Sequence, residues 1–313
     1  MKTGSLSLLL ALAIIFSACS TGGKKAQTIS LSGAFALYPL VIKWTEEYQK
    51  ENPAIRFNVS AGGAGKGMAD ALSGTVDLGM FSREISQEEI NKGVWWVAVT
   101  KDAVIPTMNA NSPVLEAVQQ RGLTRDEFRK IFITGEVTNW SQLPGIETDL
   151  AINVFTRSDA CGAAETWAAY LGANQENLQG IGIFGDPGLA DAVVKDGKGV
   201  GFNNTIYLYD LRTGGKNQGI EVIPIDVNEN GVIDADEAFY DKFDQVLAAI
   251  AGGKYPSPPA RELYLVSKGK PENQVTIDFL NWVVTKGQAF IPESGYVPLS
   301  RSTLDEQISK LNH

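Results

Sequence analysis

Histidine is almost missing from this chain: the 313 residues contain one, His313, at the last position. No imidazole stands within the body for a Ser-His-Asp triad or a histidine metal site, which removes most familiar hydrolase mechanisms. Carboxylate-only and lysine-based chemistry stay open, although no acid/base pair stands out. Cysteine is nearly as scarce. Cys19 and Cys161 are the two, and Cys19 falls in a targeting segment, so the body has no pair for an internal disulfide. Basic charge is also short: 27 Lys and Arg against 36 Asp and Glu give a net charge of −9. That balance argues against a duplex or phospholipid partner, which calls for a basic face. A small anion is not excluded, because local dipoles and one or two arginines suffice to hold it.

Long apolar runs are limited to Leu6–Phe16, which is too short to span a membrane comfortably. With Lys2 before it and Phe16-Ser17-Ala18-Cys19 closing it, residues 1–19 resemble a bacterial lipoprotein signal with Cys19 lipidated. A plain secretory signal with an incidental cysteine is the alternative. Residues 20–27 read as a flexible tether. A membrane-anchored lipoprotein in the periplasm is the resulting expectation.

From Thr28 onward, short apolar strands alternate with amphipathic helices, so the fold class is α/β. Strands are expected at Ile29–Leu31, Arg56–Ser60, Val76–Met80 and Gly199–Phe202. Helices are expected at Pro39–Glu51, Met68–Ser73, Thr124–Phe132, Ala164–Leu171 and Glu272–Lys286. The β-rich run Val94–Ile105 ends at Pro106 and is a candidate crossing between two lobes. A return crossing near Leu263–Ser267 divides the chain into lobe 1, residues 28–104 plus 264–313, and lobe 2, residues 105–263. Trp95-Trp96 reads as core or hinge packing.

Three glycine-containing stretches join a strand to a helix start: Ser32–Pro39, Ser60–Gly67 and Arg157–Ala163. Each frees backbone N–H groups at the positive end of a helix, and glycine lets a ligand approach them. Converging on one cleft, they would make a site for a small oxyanion.

These stretches occur in order with Gly74–Arg83, Phe132–Trp140 and Gly295–Leu299. Together they resemble the phosphate-binding protein of the bacterial ABC phosphate importer, a type II periplasmic-binding-protein fold with two lobes, mixed sheets and two hinge crossings. The resemblance implies a ligand site from backbone N–H groups at Leu37 and Tyr38, beside Ala36, and at Ala64 and Gly65. It adds Ser82 at a strand end, Arg157 with its partner Asp159, and a third loop of Cys161, Gly162 and Ala163. Ser82-Arg83 stands where phosphate-specific members carry an aspartate, and Ala64, Cys161 and Ala163 replace hydroxyl residues of the family pattern.

Arg83 either reaches the anion or forms a surface salt bridge, and Ser158 either donates to the ligand or caps the next turn. Lys66 invites a nucleotide reading that its surroundings refuse. Ser60 stands in the place of the first glycine of a phosphate loop, and Gly67 where a serine or threonine would bind magnesium. Cys161 reads as an inert thiol, since a nucleophile needs a nearby base.

A separate motif, Asp226–Glu237, fits the calcium-loop pattern at every fixed position. Asp226, Asn228, Asn230, Asp234 and Glu237 would ligate through side chains and Val232 through its carbonyl, with Gly231 at the sharp turn. A structural Ca2+ ion is therefore expected, with no organic cofactor; a chance surface turn is the alternative. The expected function is capture of phosphate, or a similar tetrahedral oxyanion, by a monomer that docks on an ABC permease. A phosphatase-like enzyme and a sensor or adhesion lipoprotein are the rivals.

Overall fold

The computed structural model describes residues 27–312. The signal segment, Cys19 and His313 lie outside them. Nine strands form one continuous mixed sheet: β1 (Gln27–Gly33), β2 (Ile55–Ala61), β3 (Leu78–Phe81), β4 (Val94–Asn109), β5 (Asn153–Arg157), β6 (Ile181–Ile183), β7 (Gly199–Asn204), β8 (Ile220–Val222) and β9 (Ala260–Lys268). Their order is β2-β1-β3-β9-β4-β7-β5-β6, with β8 also paired to β4. At each end the strands run parallel: β1 lies between β2 and β3, and β5 between β6 and β7. The long β4 and its antiparallel partner β9 join the two ends.

Two hydrophobic cores sit on this sheet. One gathers Ile29, Leu31, Leu40, Trp44, Met80, Phe81 and Val97, with Leu263, Leu265 and Phe279. The other gathers Val104, Phe128, Phe132, Trp140, Trp167, Phe202 and Tyr255. Along β4 the change of core falls between Val99 and Ala103, and along β9 between Ala260 and Leu263. The register of the pair slips between Ala98 and Thr100, a bulge that re-aims the strand as it leaves the first lobe.

Pro106 does not end β4, contrary to the expectation from sequence. The strand continues to Asn109, because the segment just past β8 uses the Pro106 carbonyl, which accepts from the Ile223 N–H at 3.0 Å. Helices α1 (Tyr38–Glu51) and α2 (Ala64–Ser73) follow β1 and β2, and α3 (Gln87–Asn91) follows β3. In the second lobe come α4 (Leu115–Arg121), α5 (Arg125–Arg129), α6 (Gly162–Tyr170) and α7 (Asp186–Lys195). Helices α2 and α6 begin earlier than their apolar periodicity suggests, at the glycine-rich turns themselves. Gly33, at φ +133°, and Gly67 bring β1, α2 and β3 so close that a side chain at either would collide with backbone. No helix among the described residues is long and apolar enough to cross a membrane.

Candidate functional site

Strands β1, β2 and β3 of one lobe and β5 of the other end at loops that face each other across the cleft. The cleft is closed. Ser82, just past β3, lies directly against Gly162 at the start of α6, where a Cβ would overlap it. Gly65 donates its N–H to the Ala160 carbonyl at 3.0 Å. The Tyr207 hydroxyl donates to the Phe35 carbonyl at 2.9 Å, and the Phe35 ring meets Phe184 edge-on at 6.0 Å. Each of these contacts ties one lobe to the other.

The amides divide sharply. Leu37 and Tyr38, expected to face the cleft, instead close their own turn, donating to the Ala34 carbonyl at 3.2 Å. The turn before α1 is too tight to leave them free. Gly65 spends its N–H on Ala160, and the Cys161 N–H goes to Gln175 Oε1 at 3.1 Å. Ala36, Ala64, Gly162 and Ala163 keep theirs: none has an acceptor among the described residues, and all four residues are buried. The Ala36 carbonyl is fixed by the Tyr296 hydroxyl at 2.7 Å.

Arg157 ends β5 with its side chain entirely buried. Asp159 holds it bidentately, Oδ1 accepting from Nε at 2.9 Å and Oδ2 from Nη2 at 2.6 Å. Its guanidinium carbon sits 5.7 Å from the centre of the Phe35 ring. Asp186 Oδ2 pairs with Nη1 from the other side at 2.7 Å. Burial works against the charge of Arg157, and the carboxylates of Asp186 and Asp159 outweigh it, holding the guanidinium protonated. Asp159 is itself anchored, since its Oδ1 also accepts from the Gly185 N–H at 3.2 Å.

Three side chains stand apart from the anticipated site. Arg83 turns away onto Glu89, at 2.7 and 3.0 Å, and stacks 4.6 Å over Phe81. A bidentate carboxylate, itself part of the cap that starts α3, outcompetes the cleft. Ser158 is exposed, and the cap of α6 is the Cys161 sulfur, which accepts from the Ala164 N–H at 3.3 Å. Burial pushes the Cys161 thiol up to about 12, which with no histidine among the described residues suits an inert group.

Sequence reasoning passed over Asp186, Tyr207 and Gln175. Gly185-Asp186-Pro187 signals only a helix start, and nothing local marks a tyrosine that will bond across a cleft.

In the loop 226–237 the carboxylates are turned to the loop's own amides. Glu237 accepts from Val227, Asn228 and Asp234, and Asp226 from Asn230 and Gly231. Asn228 and Asn230 both donate to Asp234 Oδ2, at 2.9 and 2.8 Å, and the Val232 N–H goes to Asn230. Among the described residues no group of three or more His, Cys, Asp or Glu is placed to hold a metal ion.

A family model described as a PBP superfamily domain matches residues 19–286. The phosphate-binding protein PstS of Bacillus subtilis is 29% identical over 198 residues, covering 58% of this chain and 64%, just under two thirds, of that protein. Protein SphX of Synechococcus elongatus is 26% identical over 283 residues, covering 87% and 77%. Among solved structures, a putative phosphate ABC transporter substrate-binding protein with bound phosphate from Clostridium perfringens superposes with a TM-score of 0.72 at 20% identity, covering 88% of this chain and all of that one. An ABC-type phosphate transport receptor from Vibrio cholerae gives 0.64 at 19% identity, covering 87% and 100%. The chain belongs to the PBP superfamily and has the two-lobed type II periplasmic-binding-protein fold.

Proposed function

We propose that this protein captures phosphate between its two lobes and delivers it to an ABC importer, working outside the cytoplasm as a lipoprotein anchored through Cys19. One observation carries the reading: Arg157 is buried and fixed by Asp159 at the end of β5, and the buried amides of Ala36, Ala64, Gly162 and Ala163, on loops that follow β1, β2 and β5, have no acceptor among the described residues. Buried donors left unpaired are costly, so their gathering in a cleft favours an anion that pairs them all. Helix starts at α2 and α6 add their dipoles. Relatives named as phosphate-binding proteins support the same ligand. No reaction is required of the site, and the PstS relative and the Clostridium perfringens neighbour are named as binding proteins.

The test is calorimetric titration of the lipid-free protein with phosphate, sulfate, arsenate and molybdate. Phosphate should bind, and Arg157→Ala should abolish the signal, because it removes the charged donor and leaves Asp159 and Asp186 facing the anion. Phosphate binding that survives Arg157→Ala refutes this placement. Incubation with a generic phosphate ester should release no product.

For the loop 226–237 the calcium reading is kept as a proposal. A cation there would replace the amide contacts of Asn228 and Asn230 on Asp234. Calcium should raise the melting temperature, and Glu237→Gln should remove the rise; no shift in the parent protein ends the idea.

A further inference from the structure

Phe35 stands in the turn between β1 and α1, one residue before the free amide of Ala36. The turn is fixed to its own lobe. Leu37 and Tyr38 close it onto the Ala34 carbonyl, and the hydroxyl of Tyr296, buried in the same core as β1, holds Ala36. Phe35 itself faces the other lobe. Its carbonyl accepts from the Tyr207 hydroxyl at 2.9 Å, and its side chain reaches further.

Three groups of the other lobe receive the ring. The Arg157 guanidinium carbon lies over it, 5.7 Å from the centre. Phe184, between β6 and α7, meets it edge-on, with centres 6.0 Å apart and planes at 85°. Gly185 comes so close that an added Cβ would lie 3.3 Å from the tip of the ring. A cation over the ring face and a second ring set edge-on are both attractive arrangements, because the face is electron-rich and the rim electron-poor.

The partners of Arg157 divide by lobe. Asp159 and Asp186 belong, like Arg157, to the lobe of β5, so they stay with it when the cleft opens. Phe35 leaves with the lobe of β1. Opening therefore keeps the guanidinium paired but wets it, and closing dries it again under an apolar ring. A charge kept from water acts more strongly on an anion beside it.

Phe184 adds little to the stability of either lobe, being 63% exposed and part of neither hydrophobic core. Among the described residues its one ring partner is Phe35.

We propose that Phe35 is a positioning residue of the anion site: it caps Arg157 from across the cleft and latches on Phe184, setting how slowly a captured anion leaves. The proposal rests on the oxyanion reading given above. In the open cleft Arg157 and the amides of Gly162 and Ala163 form a half-site on one lobe, with Phe35 withdrawn on the other. An anion lands on that half-site without meeting the ring, so capture is insensitive to it. Release requires reopening, which breaks the contacts of Phe35 with Arg157, Phe184 and Gly185 together. The ring thus slows the outward step alone.

The experiment measures the two rates separately on the lipid-free protein. Capture of radiolabelled phosphate is followed by rapid mixing, and release by a chase with excess unlabelled phosphate. Phe184→Leu removes the edge-on pair and should speed release about 2- to 12-fold. Phe35→Leu also removes the ring over Arg157 and should speed release at least roughly fivefold. Capture should stay within about twofold of the parent in both. Because Phe184 acts through Phe35, the double variant should release no faster than Phe35→Leu alone. Phe184 lies outside both cores, so its variant decides the matter even where Phe35→Leu fails to fold. Unchanged release in Phe184→Leu overturns the proposal, and so does affinity lost through slower capture. Effects that multiply in the double variant overturn it as well. A parent protein that binds no phosphate refutes the oxyanion reading, and the latch falls with it, whereas a parent that binds phosphate beside variants that release it no faster removes the latch alone.

Discussion

Gly162→Ala separates closure of the cleft from stability of the lobes. In the closed form the new methyl group would overlap both the Ser82 carbonyl and its hydroxyl. Gly162 belongs to α6 of one lobe and Ser82 to the end of β3 in the other, so opening the cleft relieves the clash. Neither Ser82 neighbour is the far end of a flexible side chain, so the lobes must give. Forcing a methylene into a packed contact costs about 1–3 kcal/mol, equivalent to a roughly 5- to 150-fold loss in affinity for whatever the closed form binds. Within its own lobe the same change puts alanine for glycine at a helix start, which favours helix by up to about 1 kcal/mol. The variant should melt no lower than the parent while binding phosphate at least roughly fivefold more weakly by calorimetry. Undiminished affinity with unchanged solution scattering on adding phosphate would show that the Ser82–Gly162 contact is not part of the bound state.

Tyr207→Phe removes the hydroxyl that reaches the Phe35 carbonyl across the cleft; a loss of about 0.5–1.5 kcal/mol should weaken phosphate binding roughly 2- to 12-fold by calorimetry, and an unchanged affinity counts against that clasp. Asp102→Asn takes the charged partner from buried Arg261 and should destabilise the fold by about 3–5 kcal/mol in urea melts; a change below about 1 kcal/mol would show the pair to be dispensable. With its thiol held up to about 12, Cys161 should resist iodoacetamide near neutral pH until the protein is unfolded, and rapid native labelling contradicts its burial.

Local chemistry made much of this molecule legible from sequence. Pro39 sits in the first turn of α1, Thr124 and Glu127 form a capping box at α5, and Gly63 at φ +89° precedes α2. In each case the residue type answers a backbone demand that neighbours alone impose. Arg157 and Asp159 were legible for the same reason, being two residues apart.

What escaped depends on distance along the chain. Which amide in the Ala34–Tyr38 turn stays free is settled by the turn's own carbonyls, and the answer moves from Leu37 and Tyr38 to Ala36. Arg83 could not be assigned until the packing of Glu89 and Phe81 around it was known. Asp186 comes to Arg157 across 29 residues of chain through the placement of α7 against β5 and β7, a contact that no local pattern announces. The carboxylates of the loop 226–237 obey their spacing, but hydrogen bonds to loop amides occupy them.

The most direct test of the account is a crystal structure grown with arsenate, measured at the arsenic edge. A single anomalous peak should lie between the lobes, within hydrogen-bond reach of the Arg157 guanidinium and of the amides of Ala36, Ala64, Gly162 and Ala163. A peak held elsewhere on the surface, or a closed cleft with no peak at saturating arsenate, contradicts it.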